Sequence, residues 1–128
     1  MILVDTAVAF WMLSDPARLS DAASEAIAGA RVVAVAGISW YELAWLIDAG
    51  RIEVDADPQS WMRDAAAVVT TLATTWEIAH RAADLSRYPS FPKDLADRLI
   101  YATGRVHEIP LVTWDEKIAA FDASTCVW

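Results

Sequence analysis

At 128 residues, 56% of them hydrophobic and seven of them Trp, the chain has the length of one domain and enough apolar material for a core without staples. Two ordinary domains are excluded, so any site has to be assembled within residues 1–128. A net charge of -8 excludes a nucleic-acid binder that works by neutralising many phosphates with Lys and Arg, and the single cysteine, Cys126, excludes an internal disulfide.

Residues 1–4 form a short apolar run rich in branched side chains, and residues 31–36 form another. Such runs without polar alternation suit strands buried on both faces of a parallel sheet. Between them, residues 16–30 place Leu19, Ala22, Ala23, Ala26, Ile27 and Ala30 at helical spacing, with Ser20 or Asp21 as the cap. A second helix is expected to open at Ser39, whose hydroxyl and Glu42 three residues later have the spacing of a capping box, and to end near Gly50. Asp57 and Pro58 start a helix to about residue 67. Residues 68–72 read as a weak strand, and Thr74 or Thr75 caps a helix that halts in the loop at residues 88–92. A helix over about 94–106, a strand over 111–113, a short helix over 116–121 and an edge strand over 125–128 complete the chain. Alternating strands and helices predict an α/β sandwich around a mainly parallel sheet. No run reaches the roughly 18 apolar residues of a membrane helix, and Met1 leads into Asp5 without a basic leader and long apolar stretch. A cytoplasmic protein is expected, with Cys126 as an ordinary buried thiol.

In open parallel sheets ligands bind outside the carboxyl ends of the strands, so acids there carry more weight than acids elsewhere. Asp5 follows the first strand, and Asp115 lies two residues beyond Thr113 at the end of another. Glu42 falls at the start of the helix after the second strand, and Asp97 in the first turn of a helix that leads into the strand at 111–113. Each alone has a plain structural explanation, since first-turn acids favour the helix dipole and an Asp after a strand forms turns. Together they describe four carboxylates converging at one edge, an arrangement that close like charges oppose and a divalent cation relieves. Oxygen ligands in this number suit Mg²⁺ or Mn²⁺, the ions of metal-assisted phosphodiester hydrolysis. In-line attack by water with the 3′ oxygen leaving would give a 5′-phosphate product.

These residues resemble the PIN-domain ribonuclease toxins of VapC type. Leu3-Val4-Asp5-Thr6-Ala7 is similar to the first motif of that family, Ser39-Trp40-Tyr41-Glu42-Leu43 to the second, the segment from Lys93 to Thr103 with Asp94 and Asp97 to the third, and the segment from Leu111 to Ile118 with Asp115 to the fourth. The resemblance implies a PIN-like, Rossmann-like three-layer sandwich, Mg²⁺ or Mn²⁺ dependence and endonucleolytic cleavage of structured cellular RNA. It also implies a small cognate antitoxin and a homodimer. It assigns Asp5, Glu42, Asp97 and Asp115 as the catalytic, metal-binding acids, with Asp94 outside them and Thr6, Ser39 and Thr113 holding them by hydrogen bonds. Three positions depart from the pattern: Leu95 where proline is common, Gly104 where alanine is usual, and bulky Trp114 beside Asp115.

Among the remaining residues, Arg98 reads first as a salt-bridge partner of the helical acids, with a phosphate contact as the alternative, and for Lys93 too a phosphate contact is the lesser reading. His80, three and four residues from Glu77 and Asp84, and His107 at a helix end read as structural. Trp11, Trp40, Trp45 and Trp61 are expected at a self-association and antitoxin surface. A receiver domain would need an acidic pair after its first strand, and a haloacid-dehalogenase-like phosphatase a second Asp two residues on; Asp5 is followed by Thr6 and Ala7. The other alternative is a non-catalytic PIN-like scaffold acting only by binding a protein partner.

Overall fold

The computed structural model describes all 128 residues. A five-stranded sheet is built from β1 (Ile2–Val4), β2 (Val33–Ala36), β3 (Thr70–Leu72), β4 (Leu111–Val112) and β5 (Cys126–Val127). The strand order is β3-β2-β1-β4-β5 and every pairing is parallel. Seven α-helices accompany it: α1 (Thr6–Ser14), α2 (Asp21–Gly29), α3 (Gly37–Asp48), α4 (Pro58–Val68), α5 (Trp76–Asp84), α6 (Leu95–Val106) and α7 (Glu116–Phe121).

The pleat sorts the short strands into two faces. Leu3, Ala34 and Leu111, in register across β1, β2 and β4, join Ile100, Tyr101 and Ile118 of α6 and α7 in one core. Val4, Val35 and Val112, one residue further on, face the opposite way and pack with Val8 and Ala9 of α1 and Ala23 of α2. The result is the three-layer sandwich, with α5 packed behind α6 through Ile78, Ala82 and Ala102. No helix is long and apolar enough to cross a membrane.

The differences from the expected elements have local causes. Helix α1 has no counterpart in the sequence reading because it is apolar all round: Val8, Ala9 and Trp11 are buried, and only Ser14 of its nine residues is exposed. A helix covered on every side shows no polar stripe to mark its period. Residues 16–18 form a separate 3₁₀ turn, and α2 starts only after Ser20, whose hydroxyl accepts from the Ala23 amide. Helix α3 begins at Gly37, with Ala36 in the cap position and no side-chain cap, so the capping box expected at Ser39 and Glu42 does not form. Ser39 sits inside the first turn, buried, and its hydroxyl is used elsewhere. Gly50, at φ 69°, takes the left-handed backbone that ends α3 where the sequence places its end.

Candidate active site

The chain adds β2 and β3 to one side of β1, then crosses to place β4 and β5 on the other, so the order reverses between β1 and β4. A crevice at the carboxyl ends of the strands is expected there. Asp5 leaves β1 and Asp115 leaves β4 at this reversal, and both become N-caps. Asp5 Oδ1 accepts from the Val8 amide of α1 at 2.8 Å, and Asp115 Oδ1 accepts from the Lys117 and Ile118 amides of α7 at 2.8 and 3.2 Å. Asp94 caps α6 in the same way, taking the Ala96 and Asp97 amides on Oδ1 at 2.9 and 3.2 Å. That places Asp97 in the first turn of α6. Glu42, on α3, accepts from the Thr6 hydroxyl, which also shares a 3.1 Å hydrogen bond with the buried Ser39 hydroxyl. Thr113, fully buried, accepts from the Asp115 amide and hydrogen-bonds the Asp5 carboxyl, tying the two acids to one side chain.

The electrostatics record how close the acids are. Burial pushes the Asp5 carboxyl up to about 6, against hydrogen bonds from Thr113, Val8 and Trp114 that favour its charge, and Asp115 adds repulsion. Burial raises Glu42 as well, opposed by Thr6 and helped by Asp94. Asp97 is pushed up to about 7, by burial first and then by the charges of Asp94, Asp115, Glu42 and Asp5 together. All four acids expected from the sequence therefore meet, with Asp94 as a fifth, and Asp97 is the point at which their fields add.

Asp5, Thr6, Glu42, Asp97, Trp114 and Asp115 line a cleft of about 180 Å³. As they stand, no three of the acids are close enough to hold one ion directly. A hard cation that keeps part of its water, as Mg²⁺ does, needs fewer direct protein ligands than a closed cage would supply. The donor set fits such an ion. It is all oxygen, the caps on Asp5 and Asp115 engage Oδ1 of each, and charge that burial and repulsion oppose is what a divalent cation relieves.

The other candidates separate. Arg98 forms no salt bridge; its Nε donates to the Pro92 carbonyl at 3.1 Å, fixing the loop ahead of α6. His80 pairs with Asp84 at 3.7 Å on an exposed helix face, and His107 is the C-cap of α6. Trp11 is buried and therefore not a surface residue, which corrects its assignment to a partner surface; Trp45 is half exposed. Trp40 donates to Thr71, and Trp61 packs on Phe10. Cys126 is only half-buried at the sheet edge. Lys117, to which the sequence reading assigns no role, lies beside Lys93 and Trp114 in a larger outer cleft of about 830 Å³ that opens from the acids.

A PIN-domain family model matches residues 2–124. Over 117 residues the chain is 46% identical to Ribonuclease VapC22 of Mycobacterium tuberculosis, covering 91% of this chain and 88% of that protein. The fold is similar to that of a toxin-antitoxin complex from Klebsiella pneumoniae, with a TM-score of 0.73, 21% identity and coverage of 100% and 97% of the two chains. It is also similar to VapC20 of Mycobacterium tuberculosis, described as a sarcin-ricin loop cleaving toxin, with a TM-score of 0.69, 19% identity and 95% of each chain covered. With the parallel sheet, the reversal of strand order and the acids gathered there, these findings assign the molecule: the chain belongs to the PIN-domain family, as a member of VapC type.

Proposed function

We propose that the protein is a Mg²⁺- or Mn²⁺-dependent endoribonuclease, acting as the toxin of a toxin-antitoxin pair on structured cellular RNA. The observation that carries this reading is the convergence of Asp5, Glu42, Asp97 and Asp115 on one cleft at the strand-order reversal, with Asp97 raised to about 7 by burial first and then by the charges of the other acids. Relatedness to a protein named as a ribonuclease supports it.

In this reading the four carboxylates hold the ion, and Asp94 contributes charge from just outside. A bound divalent cation supplies a lowered pKa for water and an offset to the charge of the transition state. The protein's part is orientation. Thr6 fixes the Glu42 carboxylate, Thr113 and the Val8 amide fix Asp5, and the α7 amides fix Asp115, so three of the acids that would hold the ion are held in set orientations. The leaving group is the 3′ oxygen, and the product carries a 5′ phosphate. We further propose a homodimer and a small antitoxin as partners, with the exposed Tyr41 and Trp45 on α3 available as an aromatic contact surface.

The direct test is incubation of total cellular RNA with purified, antitoxin-free protein in Mg²⁺ or Mn²⁺, in EDTA, and with an Asp97→Asn variant. Discrete fragments appearing only with metal and wild-type protein are the expected outcome. Absence of cleavage by demonstrably folded wild-type protein would overturn it in favour of a scaffold that acts by binding a protein partner.

A further inference from the structure

The chain has only two lysines, Lys93 and Lys117. They come from different elements, one from the loop before α6 and one from the first turn of α7, yet both line the outer cleft of about 830 Å³. Neither is paired with a carboxylate, since every ion pair in the molecule uses Arg or His. On a protein of net charge -8, this cleft brings both lysines of the chain together beside the acids.

The third feature of this cleft is Trp114, which is 53% exposed and lines both the outer cleft and the acid cleft. Its position is braced from behind. Trp11, itself buried, meets Trp114 in an edge contact with centroids 5.4 Å apart, and Trp11 is held in turn by Trp128 at 5.8 Å and by the Arg18 guanidinium at 4.5 Å. An edge contact covers at most one face of the Trp114 indole. The other aromatic lining the cleft, Phe91, is 2% exposed and packed into the core, so Trp114 offers the cleft's exposed ring. An aromatic plane and two ammonium groups, in a cleft with more than enough room for one nucleotide beside the proposed cleavage site, suit a single strand: a base to stack and a phosphate to pair.

We propose that the outer cleft is the subsite for the nucleotide next to the scissile phosphate. Its base stacks on Trp114, and its neighbouring phosphate lies between Lys93 and Lys117. The proposal rests on the ribonuclease reading and adds to it a positional rule: the RNA must present an unpaired, unstacked base at this position, because a base inside a duplex has no free face for the indole. Asp94, Asp97, Asp115 and Glu116 outnumber the two lysines in the cleft. Phosphate therefore enters only when a divalent cation has offset the acids, and strand binding depends on metal even where nothing is cut.

The test uses the full-length protein grown with 5-fluorotryptophan, its seven ¹⁹F resonances resolved and Trp114 assigned by its loss in Trp114→Phe. The protein is titrated, in Ca²⁺ and then in EDTA, with a 12-residue oligoadenylate and with a 12-residue abasic ribose-phosphate strand. The expected result is a shift of the Trp114 resonance by oligoadenylate in Ca²⁺, little or none by the abasic strand, and none in EDTA. Trp114→Ala weakens oligoadenylate binding by about 5- to 150-fold, and Trp114→Phe restores most of it. The slope of log K against log salt drops by about 0.7 for each of Lys93→Gln and Lys117→Gln. Circular dichroism and thermal unfolding establish that each variant is folded. Strand binding that moves other Trp resonances and leaves Trp114 unmoved overturns the subsite, as does failure of the strand to bind. Cleavage of cellular RNA by the same wild-type preparation separates the two claims. Cutting with a silent Trp114 removes the subsite and keeps the nuclease, whereas a responsive Trp114 without any cutting keeps the subsite and removes the hydrolytic reading.

Discussion

Replacing Asp97 with Asn should make the metal-free protein more stable while abolishing its proposed chemistry. The Asp97 carboxyl is pushed from 3.8 to about 7, by burial and by four other acids. Such a displacement corresponds to about 4 kcal/mol against the ionised folded form, and partial solvent access halves this to about 2 kcal/mol. The sign follows from linkage. Because the folded value is raised, the stability tied to the protonated form is complete below about pH 4, declines as the pH climbs through the interval to about 7, and is gone above it. Asparagine keeps the shape and carries no charge, so it escapes the loss. The variant and wild type should therefore unfold at nearly the same temperature at pH 4, diverge as pH rises, and differ by roughly 6–10 °C at pH 8 for a chain of this size. Scanning calorimetry in EDTA from pH 4 to 8 measures this, and adding Mn²⁺ at pH 8 should close the gap by stabilising wild type alone. An Asp97→Asn protein equal to or less stable than wild type at pH 8 in EDTA would refute the claim that these acids stand in mutual repulsion.

Three further outcomes follow from the same geometry. Thr6→Val removes the hydroxyl that fixes Glu42 at nearly constant volume, and second-sphere losses of this kind cost about 10- to 100-fold in metal affinity or turnover, read by metal titration and by cleavage rate. Metal affinity should increase with pH and level off above about 7, since Asp97 and Asp5, raised to about 7 and about 6, must lose their protons first; calorimetric titration with Mn²⁺ at pH 5.5 and 8 checks it. Gly104→Ala should stabilise the fold by about 0.5–1 kcal/mol, because a Cβ there would meet the Ile109 carbonyl and Leu3 Cδ2 at 3.5 Å, ordinary contact inside a helix that glycine weakens; denaturant unfolding gives the value.

The parts of the molecule written in strand-length apolar runs and in caps were legible in the sequence. Residues 1–4, 31–36 and 111–113 mark the inner strands, and Asp57-Pro58, Thr75 and Asp94 mark helix starts that the structure has at those places. Asp5, Asp97 and Asp115 were legible because each sits at an element boundary that periodicity locates, whereas Glu42, expected at the start of its helix, lies in the second turn of α3 because that helix opens earlier, at Gly37. Three things were not. The uniformly apolar α1 hid its period, and the Ser39–Glu42 pair imitated a capping box while its hydroxyl served a buried bond to Thr6. The outer cleft was also hidden, because Lys93 and Lys117 are 24 positions apart and only the fold brings them together. Long-range juxtaposition of two common residue types leaves no local trace.

The structural and functional explanations of an acid after a strand turn out to apply to the same side chains. Asp5, Asp94 and Asp115 each cap a helix through Oδ1, which a Ser or Asn could do nearly as well. Capping alone therefore does not account for Asp at these positions, and the chain contains its own control. Asp57 caps α4 through Oδ2, taking the Ser60 amide at 3.1 Å, but it is exposed and lines neither cleft. Asp57→Ser and Asp115→Ser both retain a capping oxygen, so neither should destabilise the fold by more than about 0.5 kcal/mol, and Asp115→Ser, which also removes a charge that repels Asp5 and Asp97, should gain stability at pH 8 without metal. Only the second removes a carboxylate from the cluster, and only the second should eliminate metal binding and RNA cleavage. Equal loss of cleavage in both would mean that the helix starts, and not the carboxylate cluster, govern activity. Loss confined to Asp115→Ser would show that the fold spends its strongest capping residues where their charge is needed for something else.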